Sequence, residues 1–444
     1  MSKMGFSRAD FPKGFLFGAA TSSYQIEGNA AGGCGPCHWD SYAATPGNVA
    51  RGENGAVACD HYHRFPHDIA LMAECGLDAY RFSIAWPRVL PEGRGKANEA
   101  GLDFYDRLVD ELCTNAIKPF STLYHWDLPQ PLADIGGWRN RDVASLFADY
   151  ADLVMRRIGD RVHAAATFNE PWCIAWLGHF MGRHAPGLRD IRAAAHAMHH
   201  VLLAHGNAVS AMRAIGQQNV GVVMNLEPVL PASDNPADVM AAARFDALYN
   251  RWFLEAVFKG HYPQEALEGL GPHMPAGYLD DMAVISQPVE WLGVNYYSRR
   301  LAAAEPGALW PAWRDVDGPL PKTGSGWEIY PQGLGDLIAR IDSQYTNGLP
   351  IHITENGMAS PDLLDQGQVN DAMRIDYIDG HVAVVGDLIR SGFPIQSYFV
   401  WSLLDNFEWS SGYGQRFGLV HIDFATLERT PKASWHALKE ALAR

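Results

Sequence analysis

Two segments of the chain, Thr167-Phe-Asn-Glu-Pro171 and Ile353-Thr-Glu-Asn-Gly357, end an apolar run on a glutamate that sits beside an asparagine and just before a Pro or Gly turn. A single glutamate at a strand end is usually a rim ion pair. Two in matching settings suit the breaking of a glycosidic bond. That reaction needs one carboxyl group to protonate the leaving oxygen and a second to stabilise or attack the positively charged anomeric carbon. Glu170 and Glu355 are therefore the candidate catalytic pair. Such chemistry needs no metal, and neither a metal nor a cofactor is expected.

Carboxylates so far apart in sequence must be brought together by the fold. Short β-branched or aromatic runs recur eight times: Phe15–Thr21, Ala79–Ile84, Lys118–Tyr124, His163–Glu170, Gly221–Leu226, Trp291–Tyr297, Ile351–Gly357 and Gln396–Leu403. Longer segments with helical spacing separate them. In Asp142–Met155, for example, Val143, Leu146, Phe147, Tyr150, Leu153 and Val154 form one apolar stripe. Eight alternations of strand and helix predict an α/β fold, a (β/α)8 TIM barrel. A doubly wound sheet has the same periodicity, so the polar residues decide. Arg81, His125 with Trp126, Asn169 with Glu170, Asn225, Asn295 with Tyr297, Glu355 and Trp401 all fall at or just past C-terminal strand ends. In a barrel these ends converge on one mouth, where active sites are built. No composition shift, linker or repeat marks a second unit, so residues 1–444 are expected to form one domain.

With 35 Lys plus Arg against 50 Asp plus Glu, the formal net charge is −15. This disfavours nucleic acid or an anionic membrane as a partner. The start of the chain lacks the apolar stretch of a secretory signal, and no run of about 18 apolar residues marks a membrane span. The six cysteines lie at irregular spacing in the first 173 residues, which suits reduced thiols in a cytoplasm. Cys34-Gly-Pro-Cys37 spells a disulfide-exchange motif, but it sits in a Gly-rich loop after the first strand rather than opening a helix of a thioredoxin-like sheet. His196, His199, His200 and His205 lie along a helix without an accompanying carboxylate cluster, and these and His61, His63 and His67 read as structural.

The chain resembles glycoside hydrolase family 1, the family of many β-glucosidases. The resemblance runs from Phe15-Leu-Phe-Gly-Ala-Ala-Thr-Ser-Ser-Tyr-Gln-Ile-Glu-Gly28 through Tyr80-Arg-Phe-Ser-Ile-Ala-Trp86, Leu123-Tyr-His-Trp-Asp-Leu-Pro129 and the two glutamate segments. It continues to Leu404-Asp-Asn-Phe-Glu-Trp409 and Tyr413-Gly-Gln-Arg-Phe-Gly-Leu419. It implies a (β/α)8 barrel that retains anomeric configuration, with Glu170 as acid/base and Glu355 as nucleophile. It also implies that Arg81 favours the ionised form of Glu355, that Tyr297 orients that carboxylate, and that Asn169 binds the sugar 2-hydroxyl. Gln25, His125 and Glu408 match hydroxyl binders, and the indole of Trp409 a further donor. Trp401 matches the stacking platform, while Trp126 and Asn295 line the same pocket. Trp172, Asn225 and Trp327, with variable loops such as Ala302–Trp313, resemble the aglycone side. Cis peptides are implied at Ala185–Pro186 and Trp401–Ser402. Phe168 and Cys37 depart from the family's usual Leu and Ser.

The expected activity is removal of terminal β-D-glucosyl residues, and by extension β-galactosyl or β-fucosyl ones, from β-glycosides and cello-oligosaccharides. Glu408 would repel a phosphate on the sugar 6-position, so an unphosphorylated glycone is expected. Two other readings stay open from the residues: a same-fold enzyme that mainly transfers the sugar to another acceptor, and a non-catalytic sugar-binding relative. The second usually lacks one catalytic glutamate, and both are present here.

Overall fold

The computed structural model describes residues 3–443. Eight strands form the barrel: β1 (Leu16–Ala20), β2 (Ala79–Ser83), β3 (Lys118–Tyr124), β4 (Ala164–Asn169), β5 (Val220–Asn225), β6 (Trp291–Asn295), β7 (Ile351–Asn356) and β8 (Ile395–Trp401). They pair in parallel in the order β1-β8-β7-β6-β5-β4-β3-β2 and close on themselves. The eight apolar runs of the sequence are these strands, displaced by two residues at most. Closure leaves no sheet edge, and helices cover the outer face.

The period of two along each strand divides the core into two layers. On β2, Tyr80 and Phe82 pack outward with the helices, while Ala79 points inward. The lumen is filled by Leu16, Ala20, Ala79, Phe120, Ala164, Ala166, Val223, Trp291 and Phe399. Phe120 on β3 and Phe399 on β8 are not sheet neighbours, yet their rings meet edge-on at 5.0 Å across the barrel axis. Gly18 makes room for that packing. A Cβ there would lie 2.5 Å from the Phe399 ring and 2.7 Å from the carbonyl oxygen of Ala79. Outside, the helix Asp142–Ile158 buries Val143, Phe147, Tyr150 and Val154 as its spacing predicts, while Leu146 and Leu153 are only partly buried. The Tyr150 hydroxyl lies 3.0 Å from the carbonyl oxygens of both Ile84 and Leu123, at the ends of β2 and β3, and can donate to either.

Cis peptides occur at Ala185–Pro186 and Trp401–Ser402, as the resemblance implies, and also at Trp310–Pro311. The Ala302–Trp313 stretch is not wholly loop. It overlaps a three-stranded sheet of Val229–Pro231, Arg300–Ala304 and Trp313–Asp315 laid over the barrel mouth. Among the described residues no helix is long and apolar enough to cross a membrane. The six cysteines are unpaired. Cys37 is the N-cap of the helix His38–Ala44, and burial pushes its thiol well above the usual range, opposite to what disulfide exchange requires. His61, His199 and His205 are each held by a partner of their own: Asp68 at 2.8 Å, Asp281 at 2.9 Å and Thr167 at 2.7 Å.

The loops after β7 and β8 are joined by a buried charge cluster. The Lys432 ammonium donates to Asp362 at 2.5 Å and to Asp405 at 2.6 Å. Arg374 also holds Asp362, and Arg416 holds Asp405. Replacing Lys432 leaves two buried carboxylates with one cation fewer, and the loop they anchor carries Glu408 and Trp409. Lys432→Met should therefore cost about 3–5 kcal/mol of stability in urea unfolding. A loss below ~1 kcal/mol would show that Arg374 and Arg416 carry the cluster alone.

Candidate active site

Both carboxylate-bearing strands lose regular register just before their glutamate. On β4 the pairing with β5 shifts between Ala166 and Asn169, and on β7 the pairing with β6 shifts between Ile353 and Glu355. Such irregularities re-aim side chains. Here Thr354 and Glu355, adjacent in sequence, both bond to residues that face the lumen. Glu170 follows the end of β4 with a left-handed φ of 53°, a conformation that costs free energy for a residue with a Cβ and tends to be kept at functional sites. Trp126 (φ 86°) and Trp409 (φ 67°) share it at the same mouth.

Glu355 is clamped on both oxygens. Arg81 Nη1 donates to Oε1 at 2.6 Å, and the Tyr297 hydroxyl donates to Oε2 at 2.6 Å. Arg81 lies mid-strand on β2 rather than at its end, and its length carries the guanidinium up to the mouth. Its Nη2 donates to Asn169 Oδ1 at 2.6 Å. Asn295 Nδ2 donates to that same Oδ1 at 2.9 Å and to Glu170 Oε1 at 2.7 Å, while its own oxygen accepts from Thr354 at 2.7 Å. Asn169 Nδ2 lies 3.1 Å from His125 Nε2, and the Trp126 indole N–H donates to the Asn169 carbonyl at 2.9 Å. One network thus ties β2, β4, β6 and β7 to the two glutamates.

The two carboxyl groups differ in what opposes their burial. At Glu170, burial raises the pKa to about 7, with the charge of Glu355 pushing the same way. At Glu355, burial also raises the pKa, but Arg81 and the Tyr297 hydroxyl pull it back. Glu355 is therefore the member built to carry charge and Glu170 the member built to keep a proton. Burial also lifts Glu408 to about 8, against the hydrogen bond from Trp401. The two are linked by Trp401 Nε1 donating to Glu408 Oε1 at 3.1 Å.

These groups open into a cavity of about 650 Å³, the size of a small-ligand site. Its wall includes Glu170, Glu355, Asn295, Tyr297, His125, Trp126, Trp401, Glu408 and Trp409. His125 Nδ1 is buried without a hydrogen-bond partner, and burial holds this imidazole well below its usual pKa, so it is neutral. Trp172, Asn225 and Trp327 line the outer part, Trp327 being 42% exposed and packed 5.4 Å from the Tyr297 ring. Gln25, Asn169 and Arg81 stand behind the wall. Gln25 is fully buried, accepting from Ser22 at 2.6 Å and donating to Asn406 at 2.8 Å.

Sequence reasoning missed Cys173, whose Sγ lies 3.1 Å from Glu170 Oε2, and Tyr249, whose hydroxyl lies 2.7 Å from Asn225 Nδ2. The signal for Cys173 was available: a helical turn starting at Glu170 brings residue i+3 back beside it. It also missed the ion pairs Arg299–Glu328 and Arg300–Glu227 on the outer wall.

A wall of aromatic rings and polar groups around the pair Glu170 and Glu355, which differ in what opposes their burial, is suited to acid-assisted cleavage of a sugar acetal. Comparison with known proteins agrees. The family model for glycosyl hydrolase family 1 matches residues 7–444. The chain is 49% identical over 441 residues to a beta-glucosidase of Agrobacterium sp. (strain ATCC 21400), covering 97% of this chain and 95% of the relative. Its fold superposes on the solved family 1 b-glucosidase from Thermotoga maritima with a TM-score of 0.94 at 43% identity, covering 99% and 98% of the two chains. It superposes equally, with a TM-score of 0.94 at 47% identity and 98% of each chain covered, on the virulence factor SghA in complex with its substrate analog salicin. With the family model spanning nearly its whole length, the chain belongs to glycosyl hydrolase family 1.

Proposed function

We propose that this chain is a retaining β-glucosidase that removes terminal β-D-glucosyl residues from β-glycosides and cello-oligosaccharides, with β-galactosides and β-fucosides as further substrates. The observation that carries this reading is the asymmetry of the glutamates. Glu355 is held by a cation and a hydroxyl, while Glu170 lies beside it with no cation of its own. In this reading Glu355 attacks the anomeric carbon as Glu170 gives its proton to the leaving oxygen. Once Glu355 is esterified its charge is gone, Glu170 ionises more readily, and it takes the proton from the incoming water.

Retention goes with the reading of Glu355 as nucleophile. Asn295 donates to Glu170 Oε1 at 2.7 Å and also favours the charged form of Glu355. In the pocket, Trp401 supplies the apolar face, and Glu408 and His125 bind hydroxyl groups; from behind the wall Asn169 and Gln25 complete that polar set. Trp172, Asn225 and Trp327 border the leaving group. The SghA complex holds its substrate analog salicin, which is consistent with a glycoside-binding pocket here. The six unpaired cysteines fit a cytoplasmic location, and the family match from residue 7 to 444 fits one catalytic domain.

The test is stereochemical. Proton NMR of 4-nitrophenyl β-D-glucoside during early turnover should show β-glucose first, followed by mutarotation. Initial α-glucose would overturn retention. A pH profile tests the acid. Glu170 must be protonated in the free enzyme, so kcat/KM should fall as pH rises through its pKa of about 7. A profile flat to pH ~9 would remove Glu170 as the acid.

A further inference from the structure

We propose that Cys173 is a positioning residue for the acid/base: its S–H holds Glu170 Oε2 and favours the ionised carboxylate. This rests on the reading of Glu170 given above. Glu170 has two anchors, one per oxygen. Asn295 Nδ2 donates to Oε1 at 2.7 Å, and Cys173 Sγ donates to Oε2 at 3.1 Å. The thiol is itself oriented from behind. Asn225 Nδ2 donates to Sγ at 3.6 Å and lies 2.7 Å from the Tyr249 hydroxyl. A thiol can donate only while protonated, and burial keeps this one so, its pKa pushed well above the usual range.

The chemistry of sulfur gives the contact its use. The acid/base must hold a proton for the first step and release it for the second. A hydroxyl donating to Oε2 would favour the carboxylate strongly and weaken the acid. An apolar neighbour would leave Oε2 unanchored and the carboxylate costly to form in the second step. A thiol is a weak donor and lies between these extremes. It also fixes the position of Oε2 without competing strongly for the proton.

Other groups act on Glu170 as well. Glu355 on β7 and Arg81 on β2 act from the lumen. Tyr297 beyond β6 and Tyr249 also face it, and Glu227 beyond β5 faces the thiol. His125 and Glu408 share the cavity wall. None of these residues is replaced along with Cys173, so the contrast between the valine and serine variants reports on the donor.

The experiment compares the alkaline limb of kcat/KM for an aryl β-glucoside in the wild type, Cys173→Val and Cys173→Ser. Valine keeps the volume and removes the donor, so the limb should move up by ~0.5–1 pH unit. Serine keeps a donor, so its limb should lie at or below that of the wild type. A Val limb that stays in place or moves down overturns the proposal. So does a Ser limb that rises as far as the Val limb, because packing and not donation would then be the cause. Should Cys173→Val not fold, the S–H stretch of the wild type, identified by its loss in Cys173→Ser, gives a second reading. It should move as pH crosses the limb and its acceptor changes from acid to carboxylate; a stationary band overturns the proposal. Glu170→Gln separates the two layers of argument. If the limb persists there, the role of Glu170 itself fails. If it vanishes there yet Cys173→Val leaves it unmoved, only the role of Cys173 fails.

Discussion

Glu355→Gly should lose roughly 10⁵–10⁶-fold in kcat on every β-glucoside, the scale of losing a covalent nucleophile, and added azide or formate should restore turnover with inverted product. The loss follows because, among the described residues, no other carboxylate is bonded to both Arg81 and the Tyr297 hydroxyl. The rescue follows from what the substitution leaves behind. Arg81 Nη1 and the Tyr297 hydroxyl then converge on an emptied volume and have lost their acceptor. A small anion there is placed where the carboxylate stood, on the face of the sugar opposite the leaving group. Attack from that face displaces the aglycone directly, and the product is the α-glucosyl azide. Glu170 still protonates the leaving oxygen, so poor leaving groups should be rescued too. Mass spectrometry and NMR of the azide product decide the matter, and a β-glucosyl azide from this variant would mean that Glu355 is not the nucleophile.

The residues behind this expectation were legible in the sequence to different degrees. The strands were readable because the barrel buries both faces of each strand, which leaves short, strongly apolar runs. The glutamates were readable because each ends such a run before a turn. The shifts of register before Glu170 and Glu355 were not, since nothing local in Ala166–Asn169 or Ile353–Glu355 distinguishes an irregular strand end from a regular one. For the same reason Arg81 was expected at a strand end, whereas it lies mid-strand and reaches the mouth through the length of its side chain. Gln25 was expected in the pocket and stands behind its wall, engaged with Ser22 and Asn406. The cluster of Lys432 with Asp362 and Asp405 joins residues 70 and 27 positions apart, a pairing that no local pattern reveals. The sheet over the mouth was hidden because its strands are short and only partly buried, without the apolar signature of the barrel.

Glu170→Ala should split substrates by their leaving groups. The nucleophile keeps both its partners, since neither Arg81 nor Tyr297 hydrogen-bonds to Glu170. A 2,4-dinitrophenyl β-glucoside departs without a proton, so its glycosyl-enzyme should still form at a rate near that of the wild type. Cellobiose needs the proton and should fall ~10²–10⁴-fold, the usual contribution of a positioned general acid. The second step changes as well. Water attacking the glycosyl-enzyme has lost its base, so the intermediate should accumulate and appear as a burst of dinitrophenol followed by slow turnover. Azide needs no base, and the alanine leaves room beside Asn295 and Cys173 for it to enter. Rescue should therefore occur on the second step and give β-glucosyl azide, with overall retention from two inversions. The two variants thus differ in the sign of their rescue products and in whether a burst is seen. A dinitrophenyl substrate slowed as much as cellobiose would show that Glu170 does more than move a proton. Rescue to the α-azide here, with the β-azide from Glu355→Gly, would exchange the roles of the two glutamates.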